Sequence, residues 1–282
     1  MKKILWLIAS LLLVGIASCS NDDTVTDPPA VDKTPNLKAA GDSANDFLSN
    51  DNYDHVVIEA AYVNGFKPTA QAMAQLVTFI KEHTFKQNIE IVYKEVGSPQ
   101  QESLSLEEIV ELEEKHRSKY NQGTSLALFI YFADAPSEDD DEDQGLVTLG
   151  AVFRNTSMII HEVTVRKLAN LSNSISATDV ETATLNHEFG HLLGLVDLGS
   201  PMVNDHEDSN ARNHCTVSGC LMRAELQFDS SGKGSVQPSK SLACTLTGAS
   251  VLKMLESNTS KGAIVPELGS ECQADIANNG GR

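Results

Sequence analysis

From residue 55 the chain alternates between short apolar runs and longer stretches whose apolar positions recur three and four apart. Residues 55–63 (HVVIEAAYV) read as a strand, and residues 69–83 as a helix with Ala72, Leu76, Phe79 and Ile80 on one side. Residues 89–96 (IEIVYKEV) alternate with a period near two, which predicts a second strand, and residues 104–120 form a charged amphipathic helix. Residues 125–133 (SLALFIYFA) are almost wholly apolar, as a central strand covered on both faces should be. This β-α-β-α-β opening predicts a mostly parallel sheet with right-handed crossovers. Two more strands, 145–153 and 158–165, are close enough in sequence to pair antiparallel, and the first should leave an edge along which an extended peptide could lie. Residues 249–257 predict a late helix, and the tail to Arg282 is turn-rich. There is no internal repeat.

The chemistry is concentrated in a helix that starts at Thr178-Asp179-Val180-Glu181, where a threonine and the glutamate three later make a capping-box pattern, and that meets Gly194, placed for a left-handed C-terminal cap. It carries His187-Glu188-Phe189-Gly190-His191. Residues four apart share a helix face, so both imidazoles can aim at one ion. Glu188, rotated by about 100°, can reach water bound to that ion without ligating it. Zinc brings the pKa of such water to about 7, so an adjacent carboxylate can take its proton for attack on a peptide carbonyl. Nothing like a G-x-S-x-G elbow is present, which removes the common serine-hydrolase alternative. His55, His83, His116 and His161 lack ligand spacing and read as structural or exposed.

Charge and termini narrow the setting. Acidic residues outnumber basic ones 39 to 21, for a net charge of −18, which excludes nucleic acid and reads as a solvated exterior. The acidic run at 137–144 (SEDDDEDQ) lacks the spaced ligands and glycine turn of a calcium loop and reads as solvated. Met1-Lys2-Lys3 and the apolar run 4–16 have the length of a secretory signal rather than a membrane span. The junction Ile16-Ala17-Ser18-Cys19 resembles a bacterial lipobox, and Ser20-Asn21-Asp22-Asp23 resembles the acidic tag of surface-exposed lipoproteins. The expected organisation is a signal peptide at 1–18 and a lipidated flexible linker at 19–53. An upper subdomain at 54–194 and a lower one at 195–282 complete it. Contact with the outer membrane or cell surface, including a periplasmic face, would be through the lipid on Cys19 alone.

His187-Glu188-x-x-His191-x-x-Gly194 resembles the metzincin signature of zinc peptidases. The resemblance implies an α+β fold with a mixed, mostly parallel twisted sheet, an active-site helix and a smaller irregular C-terminal subdomain. It also implies Zn2+ as cofactor, a protein or peptide as substrate and a third ligand beyond the glycine. Three residues compete for that place. Asp197 has the strict spacing and resembles the snapalysin pattern; His206 is an imidazole in acidic company. His214 is followed by Cys215, four residues, Cys220, Leu221 and Met222, similar to archaemetzincins, and is preferred. Met222 would then be the methionine beneath the metal. Ala224 stands where some metzincins have a tyrosine, and the closely spaced downstream cysteine pair of archaemetzincins is missing. The expectation for Cys215, Cys220, Cys244 and Cys272 in an oxidising compartment is therefore disulfides, with a second metal site as the alternative. The rival function is a surface binding or adhesion lipoprotein with a structural zinc. Glu188 argues against it, because a structural site closes with four protein ligands.

Overall fold

The computed structural model describes residues 31–141, 143–223, 242–256 and 263–282. The expected signal peptide and Cys19 lie outside them. After a short turn at Thr34–Asn36, α1 (Ala44–Leu48) leads into β1 (His55–Val63), α2 (Ala70–His83), β2 (Asn88–Val96), α3 (Leu106–His116) and β3 (Ser125–Phe132). Then come β4 (Leu146–Arg154), β5 (Ser157–Ile160), α4 (Glu162–Ala169) and α5 (Ala177–Leu192). The C-terminal part holds β6 (Glu207–Asp208), β7 (Ala211–Cys215), β8 (Leu242–Thr247), α6 (Gly248–Leu255) and α7 (Ser270–Asn278).

The main sheet has the order β2-β1-β3-β5-β4-β8. β2, β1, β3 and β5 run parallel, and β4 is antiparallel to both β5 and β8. This is a mixed α and β fold with a mostly parallel central sheet. β3 is covered on both faces, as its unbroken apolar run requires: Leu126, Leu128, Ile130 and Phe132 join one core, and Phe129 and Tyr131 the other. α3 supplies Ile109 and Leu112 to the second core. Its buried end is held by Arg117, which donates to Glu113 at 2.7 Å and to the Ala127 carbonyl at 2.9 Å. Burial and the pairing of this charge come together, since an unpaired guanidinium there would be strongly destabilising.

α5 packs against α2, α4, α6, β4 and β5, and every residue from Val180 to Leu192 is buried. It therefore lacks a polar face and shows no amphipathic stripe. Its start differs from the expected Thr178/Glu181 box. Ser176 is the N-cap, accepting from the Asp179 amide while Asp179 accepts from the Ser176 amide. Glu181 is buried one turn further on and accepts instead from the amide and hydroxyl of Thr69.

Four other expectations are corrected. Residues 34–53 are not a tether: Phe47 and Leu48 are fully buried, and the Phe47 ring meets Phe189 edge-on at 5.3 Å. Burying one such side chain is worth about 1.5–3 kcal/mol, enough to help offset the ordering of a short polar segment. The strand expected at 158–165 stops at Ile160, and α4 begins at Glu162. The C-terminal tail is not only turns, since α7 docks with Cys272, Asp275 and Ile276 buried. Finally, β4 does not present an edge, because β8 pairs along it. No helix among the described residues is long and apolar enough to cross a membrane.

Candidate metal centre

His187 and His191 are delivered by α5, and His214 by β7, which returns toward the helix after a loop. That return is fixed by hydrogen bonds. The Ser200 hydroxyl donates to the Leu193 carbonyl at 2.8 Å, the Ser200 amide to the Gly194 carbonyl at 2.9 Å, and the Asn213 amide group to the Val196 carbonyl at 3.2 Å. The three imidazoles meet, with ring centroids 4.9, 5.3 and 5.1 Å apart and one ligand atom from each within 4.8 Å of the others.

The chemistry of this donor set fits zinc. Burial, first, and the neighbouring imidazoles or imidazole, second, hold His187 at about 3 and His191 well below the usual histidine range, and burial lowers His214 as well. The rings are thus neutral, which is the ligating form. The Nδ1 of His187 lies 2.8 Å from the Leu221 carbonyl, and that of His214 lies 2.9 Å from the Arg212 carbonyl. An N–H donated to each carbonyl leaves Nε2 with its lone pair toward the shared space, the usual way a backbone acceptor orients a metal-binding histidine.

Met222 is fully buried against the helix turn that carries the two histidines. A side chain at Gly190 would place its Cβ 2.3 Å from the Met222 sulfur, so only glycine allows the methionine to press on the helix between the two histidines. The Met222 carbonyl accepts from the Cys215 amide at 2.7 Å, which ties the methionine turn to the strand carrying His214. Glu188 sits on the side toward the sheet: a Cβ built on Gly150 of β4 would stand 2.9 Å from its Cγ.

The other two expected third ligands go elsewhere. Asp197 is exposed, on a stretch where Val196 and Asp197 both take left-handed φ values of 54° and 61°. Its carboxylate is not among the donor atoms grouped with the imidazoles. His206 is buried, but in a second cluster with Cys215 and Cys272 whose ligand atoms also lie within 4.8 Å of one another.

That cluster overturns the disulfide expectation for the cysteines it contains. Cys215, Cys220 and Cys272 are free thiols, and the Cys220 and Cys272 sulfurs are 3.6 Å apart. A disulfide needs about 2.05 Å, whereas two sulfurs on one tetrahedral zinc stand about 3.8 Å apart, given Zn–S near 2.3 Å. Amides of Val217 and Gly269 donate to the Cys215 and Cys220 sulfurs at 3.3 and 3.2 Å. Hydrogen bonding among the three thiols lowers Cys220 below the ordinary thiol range and raises Cys215 and Cys272. His206 presents Nδ1 to Cys215 at 3.2 Å and is oriented through Nε2 by Asp275 at 2.8 Å. One imidazole and two thiols group their ligand atoms within 4.8 Å, with the Cys220 sulfur 3.6 Å from that of Cys272, a sulfur-rich set that could hold a structural ion. Cys244 lies in β8, and its side chain is outside the described residues. Sequence spacing does not reveal this cluster because Cys272 stands 52 residues beyond Cys220; the available signal is His206, nine residues before Cys215.

No family model matches the chain, and no curated protein matches it. Among solved structures it is similar to an archaemetzincin from Methanopyrus kandleri, with a TM-score of 0.46 and 13% identity over 80% of this chain and 96% of that one.

Proposed function

We propose that this chain is a zinc-dependent endopeptidase in which His187, His191 and His214 hold the ion and Glu188 moves the proton. The observation that carries the reading is the meeting of three buried imidazoles, with Glu188 next to one of them in sequence and no fourth donor in their group among the described residues. Three protein donors with one open place is the catalytic pattern, and four is the structural one. Zinc held there would supply Lewis-acid activation of water and of a peptide carbonyl. Glu188 accepts the proton given up by the attacking water and returns it to the amine nitrogen of the departing strand. The buried surroundings keep bulk water from competing for that proton.

The His206, Cys215 and Cys272 group, completed by the neighbouring Cys220 as fourth donor, takes the structural role, holding a second zinc that fastens α7 to the β7 strand. Residues 1–23 support export and lipid attachment at Cys19, on the outer membrane or cell surface. Loss of acyl labelling and of membrane fractionation in Cys19→Ala tests that part, and unchanged fractionation would count against it.

The peptidase reading is tested on purified residues 20–282 by metal analysis and digestion of an unbiased peptide library. The expected result is two zinc ions per chain and cleavage that a strong chelator abolishes. Bound zinc with no cleavage, either by this protein or by the β8 variant described below, would overturn it.

A further inference from the structure

β4 passes close to Glu188: a Cβ built on its Gly150 would stand 2.9 Å from the Glu188 Cγ. An extended substrate that pairs with this strand would bring its backbone past the imidazole cluster. That place is filled by the chain itself. β8 runs antiparallel along β4, with Leu146 opposite Thr247, Val147 opposite Leu246 and Thr148 opposite Thr245. After a shift in register, Ala151 stands opposite Ala243 and Val152 opposite Leu242. The shift falls at Leu149 and Gly150, so Cys244 takes the register position facing the stretch that covers Glu188. Pairing thus brackets the point where β4 meets the site, and is not confined to a far end of the strand.

Burial agrees with the topology. His187, Glu188 and His191 are at most 1% exposed, and His214 is 6% exposed. Ligands of a metal are often buried, but a general base must be reached by substrate and water. β8 is followed directly by α6, which packs against α4 and α5. The strand is therefore anchored at its C-terminal end beside the same helix that carries the histidines.

We infer that β8 is an internal occupant of the peptide-binding edge, and that the protein is latent until an extended peptide or an opening event displaces this strand from β4. The inference rests on the peptidase reading for the identity of the cleft. Its energetics are those of intramolecular competition. A tethered strand acts at an effective concentration in the millimolar range, so it lowers the apparent affinity for a free peptide that needs the same backbone groups. A small chelating ligand that needs only the metal is not affected.

The experiment compares two probes on the zinc-loaded protein, acetohydroxamate and an extended hexapeptide ending in a hydroxamate. In the unsubstituted protein, hydrogen exchange is followed with each probe bound. The peptide should raise exchange at residues 242–247 while β4 amides stay protected, and acetohydroxamate should leave both unchanged. In Thr245→Pro/Leu246→Pro, one of the two prolines removes an amide directed at β4, because successive residues of a strand direct their backbone groups to opposite sides. This variant should bind the peptide at least about 10-fold more tightly, with acetohydroxamate affinity unchanged. Peptide binding with β8 still protected, or equal peptide affinity in a zinc-replete variant, would overturn the inference. Failure of acetohydroxamate to bind would sink the metal reading, and this inference with it. Tighter peptide binding without cleavage would leave the inference standing and sink only the peptidase reading.

Discussion

Two clusters of metal-binding residues lie on either side of the His214-Cys215 step, and they are built for opposite purposes. The first has three neutral imidazoles, an adjacent carboxylate and no fourth donor in its group among the described residues. The second groups an imidazole with the thiols of Cys215 and Cys272 and has a further thiol, Cys220, 3.6 Å from Cys272; it is braced by amide-to-sulfur hydrogen bonds and by Asp275. The same short strand serves both, since consecutive residues of β7 point to opposite sides. The difference teaches what an incomplete ligand set is for: a place left open is one where chemistry can occur, and a closed set only holds parts together.

The sharpest way to break this comparison is at Glu188. Glu188→Gln should keep both ions and lose peptide cleavage by about 10²–10⁴-fold, the range for removal of a general acid–base group. Cleavage at the unsubstituted rate would show that the open site does not work by proton transfer through this residue.

Next comes ligation. His214→Ala should lose one zinc of the two on dialysis against a weak chelator, with an affinity drop well beyond the roughly 10–100-fold typical of an outer-shell change. Asp197→Asn should keep both ions, and zinc loss from it alone would reverse the assignment. In the second cluster, Asp275→Asn should weaken the other ion by about 10–100-fold, because the His206 ring loses its orienting carboxylate. Metal content and thermal unfolding of that variant are read together. A fall in peptide cleavage at full occupancy of the first site would mean that the clusters are not separable.

The smallest effect is in stability and lies away from both clusters. Glu162 and Glu181 are buried and hydrogen-bonded to each other, with Arg166 2.7 Å from Glu162. Burial is the largest cause in each case and raises both carboxyls, Glu162 to about 8. A carboxyl whose folded pKa is raised contributes stability that is present below its unfolded value and is lost as pH rises through the folded one. Unfolding by urea should therefore show stability falling between about pH 4.5 and 8. Glu162→Gln should flatten that slope. A slope unchanged in this variant would show that the pair does not hold the proton.

Much of the sheet was legible because its strands are made by their own residues. Residues 55–63 and 125–133 are too apolar and β-branched or aromatic to be anything but buried strands, and they are β1 and β3 almost to the residue. The His187/His191 pair was legible for a similar reason, since helix geometry alone puts them together. What stayed hidden depends on partners distant in sequence. Phe47 looks like an isolated apolar residue in a polar stretch until Phe189 is set against it. α4 follows β5 with only His161 between them, so a single apolar run concealed the change of period. β8 is short and finds its place only through β4, and the thiol cluster needs residues 206 and 272 on opposite sides of the cysteine pair.

The spacing within that cluster also sets an order in time. His214 follows His187 by 27 residues, so all three ligands of the open site are synthesised before β8. Cys272 comes 52 residues after Cys220. At a synthesis rate of about 5–20 residues per second, the closed cluster waits a further ~3–10 s for its last ligand. β8 lies within that interval, so the strand that covers the open site is translated before the clamp that completes the lower half.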